Sequence, residues 1–218
     1  MILSTLYYTL NIHFVLKLGN HDKPRFGSRY GTQRIDGLLT LLMTLPGVAV
    51  TYNGDEIGML DYRDISFEDT LDPQGCNVGP ENYKWASRDP QRTPFQWDGT
   101  DYAGFKEATG EKPWIQVHPD YKTNNLALQK AAPKSFYKFY KQLSDLRKNT
   151  VLMSGDFKSM ALNKDVFAYT RSFAEVTLVV LINFGEVDYP LNINDLEVNF
   201  PAETEVVLAG SMSSYEPG

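Results

Sequence analysis

The stretch Phe14–Glu56, FVLKLGNHDKPRFGSRYGTQRIDGLLTLLMTLPGVAVTYNGDE, decides the fold. Phe14–Leu18 is a short apolar run stopped by Gly19-Asn20, which reads as a buried strand. After the turn-rich Gly27–Gly31, Thr32 is placed to cap a helix running to Leu45. Ile35, Leu38, Leu39 and Leu42 follow the i, i+3, i+4, i+7 rule and give that helix one apolar face. Pro46-Gly47 ends it, and the β-branched run Val48–Tyr52 reads as a second strand closed by Asn53-Gly54. Strand, loop, helix, strand is a βαβ unit, which predicts parallel strands joined by a right-handed crossover. Runs this apolar suit a sheet covered on both faces.

The remaining sequence falls into two textures. Residues 61–125 show little periodicity and many Gly, Pro, Asn, Asp and aromatic residues. Loops of that length inside a compact domain are usually functional. Pro133 is placed in the first turn of a helix reaching Lys148, with Phe136, Phe139, Tyr140, Leu143 and Leu146 as its buried stripe. From Thr150 onward, Val166–Thr170, Thr177–Asn183, Asp188–Ile193 and Glu205–Leu208 read as short strands between polar turns, an antiparallel module. The expected boundary separates residues 1–149 from 150–218.

Composition narrows the function classes. The chain has 218 residues, 42% hydrophobic and 22% charged, which excludes a disordered or fibrous protein. A net charge of -6 with both signs interspersed argues against nucleic acid or an anionic membrane surface as the main partner. The single cysteine, Cys76, excludes an internal disulfide framework and a multi-cysteine zinc site, and it is expected as a packed thiol. His13, His21 and His118 are too far apart for a helical metal pair, so no metal or other cofactor is expected. The apolar leader Met1–Leu18 has its first basic residue at Lys17 and is interrupted by Asn11 and His13. It fits neither a secretory signal nor a membrane helix, which needs roughly 20 apolar residues.

In parallel α/β proteins, sites collect where strands end. The first strand runs into Asn20-His21-Asp22 and Arg25, the second into Tyr52-Asn53-Gly54-Asp55-Glu56. A His-Asp step off a strand is either a preorganised site or simply a capped turn. The long loop adds Tyr83, Trp85, Arg88, Asp89, Arg92, Phe95, Gln96, Trp97 and Asp98. Flat rings beside Arg, Asp and Gln suit a polyhydroxylated ligand, though most such residues serve to hold a loop together. No phosphate-cradling glycine loop, serine elbow or metal-binding helix motif is present. The residues therefore favour carbohydrate chemistry with carboxylates. Glycoside hydrolysis needs two carboxyl groups about 5–9.5 Å apart, and Asp22 with Asp55 or Glu56 is the pair these strands offer.

GNHDKPRFGSRYG (19–31), LPGVAVTYNGDEIGM (45–59) and SRDPQRTPFQWD (87–98) together resemble the α-amylase family of glycoside hydrolases. DPQGCNVGPENYKW (72–85) is similar to its insect maltase branch, and the likeness runs from about Phe14 to the C-terminus. The resemblance implies an α/β fold, the C-terminal part of a (β/α)8 TIM barrel followed by an antiparallel β domain, and α-glucosidase activity. Asp22 then corresponds to the family's third carboxylate, which hydrogen-bonds the 2- and 3-hydroxyls of the sugar being cleaved. His21 binds the same sugar, Arg25 is a neighbouring site residue, and Arg88 and Arg92 lie in a loop that lines the pocket. For Asp55 and Glu56 a structural role is at least as well matched as a catalytic one.

The resemblance also displaces the pairing of Asp22 with Asp55 or Glu56. The family's nucleophilic Asp and acid/base Glu come from the fourth and fifth barrel strands, and no segment here matches their motifs. Both ends of the chain read as cut, which implies an inactive fragment whose Val48–Val50 strand and Ile35–Leu42 helix face stay uncovered. The implied substrate is a small α-glucoside of the maltose or sucrose type. The implied location of the whole protein is extracellular or membrane-anchored. A non-enzymatic relative, such as a transporter heavy chain or a toxin receptor, is the alternative, and the intact His21-Asp22 pair disfavours it.

Overall fold

The computed structural model describes residues 14–106, 110, 112–192, 196, 198 and 205–210. Residue contacts divide the chain into two compact units, each described by itself: residues 17–35 with 51–139, and residues 1–16 with 36–50 and 140–218.

The second of these units holds the regular structure. Strands β1 (Val15–Lys17) and β2 (Val48–Val50) pair in a two-stranded sheet, with the Val48 amide donating to the Phe14 carbonyl at 2.7 Å. Between them runs a helix that starts later than its expected cap. Thr32 opens a 3-10 turn, Thr32–Arg34, and the α-helix proper covers Ile35–Thr44. Contrary to expectation, its apolar face is covered: Leu39 and Leu42 are buried. Val48 and Val50, 49% and 41% exposed, do stay uncovered, whereas Val15, expected in a buried strand, is 63% exposed.

The helix is anchored through its C-terminal carbonyls, which have no partner within the helix. The Arg147 guanidinium donates to the Met43, Leu45 and Gly47 carbonyls. Buried Arg171 donates to the Thr44 carbonyl at 2.7 Å and to Gly155 at 2.9 Å. The Thr44 hydroxyl bonds the Tyr169 phenol, whose pKa burial pushes up to about 12.

The C-terminal module is a three-stranded antiparallel sheet of Asp156–Ala161, Val166–Phe173 and Val176–Asn183. Tyr169, Val180 and Ile182 form its core, packed with Phe157, Phe167, Leu178 and Phe184. Two expected strands are absent: residues 188–192 and 205–208 carry no strand, and Ile193 lies outside the described residues. Asp156–Ala161 is a strand that the sequence concealed, since Ser159 and Met160 break the alternation that Asp156, Phe157 and Lys158 begin.

The other unit is mostly loop, held by polar side chains. Ile57, Met59 and Phe95 form a small core against Leu126 and Tyr137. Gln129 bridges it, donating to the Ile57 carbonyl at 2.8 Å and accepting from the Tyr137 amide at 2.9 Å. Buried backbone demands such partners, and here side chains supply them in place of strands. Two short helices, Pro73–Val78 and Tyr83–Ala86, sit in the long loop.

Candidate functional site

Asn20-His21-Asp22 leaves β1 as a tight turn in which the Asp22 amide donates to Asn20 Oδ1 at 2.8 Å. That turn lifts the Asp22 carboxylate to the surface, where its side chain is 47% exposed. Two arginines 66 and 70 residues away converge on it. Arg88 Nη1 reaches Asp22 Oδ1 at 3.0 Å and Arg92 Nη2 reaches the same oxygen at 3.1 Å. Arg92 Nε also donates to the His21 carbonyl at 2.8 Å, which ties the turn and the loop together. His21 Nε2 stands 3.2 Å from the other oxygen, Asp22 Oδ2.

Electrostatics follow from that geometry. Burial pushes the Asp22 carboxyl up, but the Arg88 hydrogen bond and the charges of His21, Arg88 and Arg92 outweigh it. The net result lies below the usual carboxylate value, so Asp22 is an anion at neutral pH. An open cleft of about 610 Å³ adjoins it, lined by Asp22, Gln74, Asn77, Trp85, Arg88 and Gln91 among others. Trp85 is 91% exposed and offers a bare ring face. A fixed anion beside amide groups and a flat ring can take a neutral polyhydroxylated ligand.

Arg25 behaves differently from the other residues singled out in the sequence. Its side chain is 1% exposed and turned inward, donating from Nη1 to the Asn53 carbonyl at 2.9 Å. The guanidinium lies 4.9 Å from the Tyr52 ring centroid, and the Arg25 amide donates to Asp61 Oδ1 at 2.8 Å. Gly54 makes this approach possible: its φ is +95°, and a Cβ there would lie 2.7 Å from Arg25 Nη1. Arg25 therefore supports the turn after β2 and does not touch the cleft.

Asp55 and Glu56 spend their carboxylates on that same turn. Asp55 Oδ2 accepts from the Tyr52 amide at 3.1 Å, and Glu56 Oε2 accepts from the Gly54 amide at 2.8 Å. Burial raises Asp55 to about 6, against the lowering influence of Arg25. Neither residue pairs with Asp22.

Two further carboxylates shape the site: Asp72, which no sequence signal singled out as a site residue, and Asp89, which stood among the long-loop candidates. Asp72 caps the helix Pro73–Val78 and holds Arg88, and Asp89 in turn accepts from the Leu71 and Asp72 amides at 2.7 and 2.9 Å. Asp72-Pro73 was legible as a helix start, but its partner sixteen residues later was not. Cys76 is exposed, not packed, and its thiol donates to the Thr70 carbonyl at 3.3 Å. Among the described residues, no group of three or more His, Cys, Asp and Glu could hold a metal ion. Among the same residues, no helix is long and apolar enough to cross a membrane.

Residues 6–155 match the family model described as alpha amylase, catalytic domain. The chain is 43% identical over 199 residues to Maltase 1 of Drosophila virilis, covering 91% of this chain and 31% of that protein. It is 44% identical over 168 residues to an alpha-glucosidase of Apis mellifera, covering 77% of this chain and 29% of that one. Among solved structures it resembles the trehalulose synthase of Pseudomonas mesoacidophila at 33% identity and TM-score 0.72, covering 83% of this chain and 36% of that one. The trehalose-6-phosphate hydrolase of Bacillus licheniformis matches at 30% identity and TM-score 0.69, with coverages of 82% and 37%. The chain spans about a third of the length of the curated relatives it matches. With the family's motifs, its α/β fold and its catalytic-domain match in agreement, the chain belongs to the α-amylase family of glycoside hydrolases.

Proposed function

We propose that this chain is part of a retaining α-glucosidase that removes terminal glucose from maltose- or sucrose-type α-glucosides. One observation carries the reading: an ionised, half-exposed Asp22 carboxylate is fixed by two arginines at the rim of an open cleft. Glycosidases of this kind pass through an oxocarbenium-like transition state, and hydrogen bonds to the ring hydroxyls that strengthen there lower the barrier. Asp22 supplies such acceptors to the 2- and 3-hydroxyls, with His21 beside it. Arg88 and Arg92 keep the carboxylate charged and oriented. Arg25 acts from behind, through Tyr52 and Asn53. The nucleophile and the acid/base lie elsewhere in the enzyme, and no motif of this chain supplies them.

Residues 1–149 fit the catalytic domain and 150–218 the antiparallel β domain. The family match ending at residue 155 and the sheet beginning at Asp156 support a boundary in this region, a few residues beyond 149. Relatives named maltase and alpha-glucosidase support the substrate class, and an extracellular or membrane-anchored location for the whole enzyme is part of the same proposal.

The test is Asp22→Asn in the full-length enzyme, with maltose as substrate. Turnover should fall by about 10²–10³-fold, the usual cost of losing one preorganised transition-state contact, with thermal stability kept. The 218-residue chain alone should release no glucose and should aggregate through Val15, Val48 and Val50. Glucose release by the isolated chain, abolished by Asp22→Asn, would refute the division of labour.

A further inference from the structure

Arg88 presents its guanidinium to two carboxylates, and the two contacts differ in kind. Towards Asp72 it lies side-on, with Nε 2.9 Å from Oδ2 and Nη2 2.7 Å from Oδ1, while its backbone amide adds a third bond to Oδ2 at 2.7 Å. Towards Asp22 it offers Nη1 alone. The Asp72 side chain is fully buried, and Gln74 donates to it as well. Those hydrogen bonds, led by Arg88, hold its carboxyl at about 2. The anchor is itself anchored, because Asp89, 1% exposed, fixes the Asp72 amide. A bidentate fork is the most directional contact a guanidinium makes, so Asp72 fixes which edge of Arg88 faces the cleft.

We propose that Asp72 is a positioning residue: it engages the Nε/Nη2 edge of Arg88, so that Arg88 cannot close a fork over both oxygens of Asp22. Both arginines meet Asp22 on Oδ1, and Oδ2 faces only His21 among the described residues. That second oxygen is the acceptor left for a sugar hydroxyl. Freed from Asp72, Arg88 turns end-on and occupies it. The inference rests on the proposed glucosidase reading for its kinetic consequence, but not for its geometry.

The test is a double-mutant cycle in the full-length enzyme with Asp72→Asn and Arg88→Gln. Asparagine caps a helix as well as aspartate does, so the change isolates the arginine contact. Asp72→Asn should lower kcat/KM for maltose by about 100-fold, the cost of a displacement on the order of 1 Å at a reacting centre. In the Arg88→Gln background the same change should matter by less than about 3-fold, because its route is gone. Effects that multiply across the cycle would overturn the proposal, as would an Asp72→Asn enzyme within about 3-fold of wild type. If Asp72→Asn does not fold, Asp72→Ser completes the cycle. A crystal structure of the full-length Asp72 variant separates this inference from the glucosidase reading. Arg88 spanning both Asp22 oxygens supports it even if maltose is not hydrolysed, and Arg88 in its original pose overturns it.

Discussion

Asp22 and Asp55 each follow the end of a paired β-strand, two residues that local sequence cannot rank. Asp22 sits on an open turn with two guanidinium groups on one oxygen, and its carboxyl is held below the usual value. Asp55 is 1% exposed, keeps Oδ1 without a hydrogen bond, and is raised to about 6. A strand-end carboxylate becomes a site only where distant cations keep it charged in the open. Where burial outweighs them, the same residue type becomes a costly structural element.

The largest way to break this contrast is at Asp55 itself. A buried acid whose folded pKa lies above its unfolded one favours the folded state when protonated. The penalty is absent below about pH 4 and grows as pH rises through about 6, reaching about 3 kcal/mol. Asp55→Asn should therefore raise the thermal midpoint above wild type at pH 7.5 and lose that advantage near pH 4, as read by calorimetry across pH. A midpoint gain that is constant with pH would place the Asp55 charge elsewhere.

A smaller effect is expected at Gly54, whose left-handed φ lets Arg25 approach the turn. Gly54→Ala should destabilise the protein by about 2 kcal/mol, from backbone strain and from crowding against Met59 and Arg25. Denaturant unfolding measures this, and a neutral substitution would mean that the turn relaxes freely.

The smallest effect is expected at Cys76. Its exposed thiol should react with a disulfide reagent in the native protein while leaving the fold unchanged. Protection until unfolding would show that the helix Pro73–Val78 packs more tightly than the structure has it.

What the sequence disclosed follows from the range of the interaction involved. β1, the central helix and β2 were readable because Leu39, Leu42 and the valines obey local periods. The site turn was readable through its motif, and Asp22, Arg88 and Arg92 do converge. The inward turn of Arg25 was not readable, because it depends on the Asn53 carbonyl and the Tyr52 ring, 28 and 27 positions away. Asp72 was hidden for the same reason: a fork to Arg88 leaves no periodic trace. The strands expected at residues 188–193 and 205–208 went the opposite way: a local apolar alternation was readable, yet residues 188–192 and 205–208 carry no strand.

On this reading Asp22 is the working carboxylate and Asp55 a structural one. Maltose hydrolysis by Asp22→Asn and Asp55→Asn variants of the full-length enzyme, assayed side by side with their melting temperatures, decides between these roles. The expected result is a collapse of turnover with an unchanged midpoint for Asp22→Asn, and retained turnover with a raised midpoint at pH 7.5 for Asp55→Asn. Full turnover in Asp22→Asn, or loss of it in a folded Asp55→Asn enzyme, would contradict the assignment.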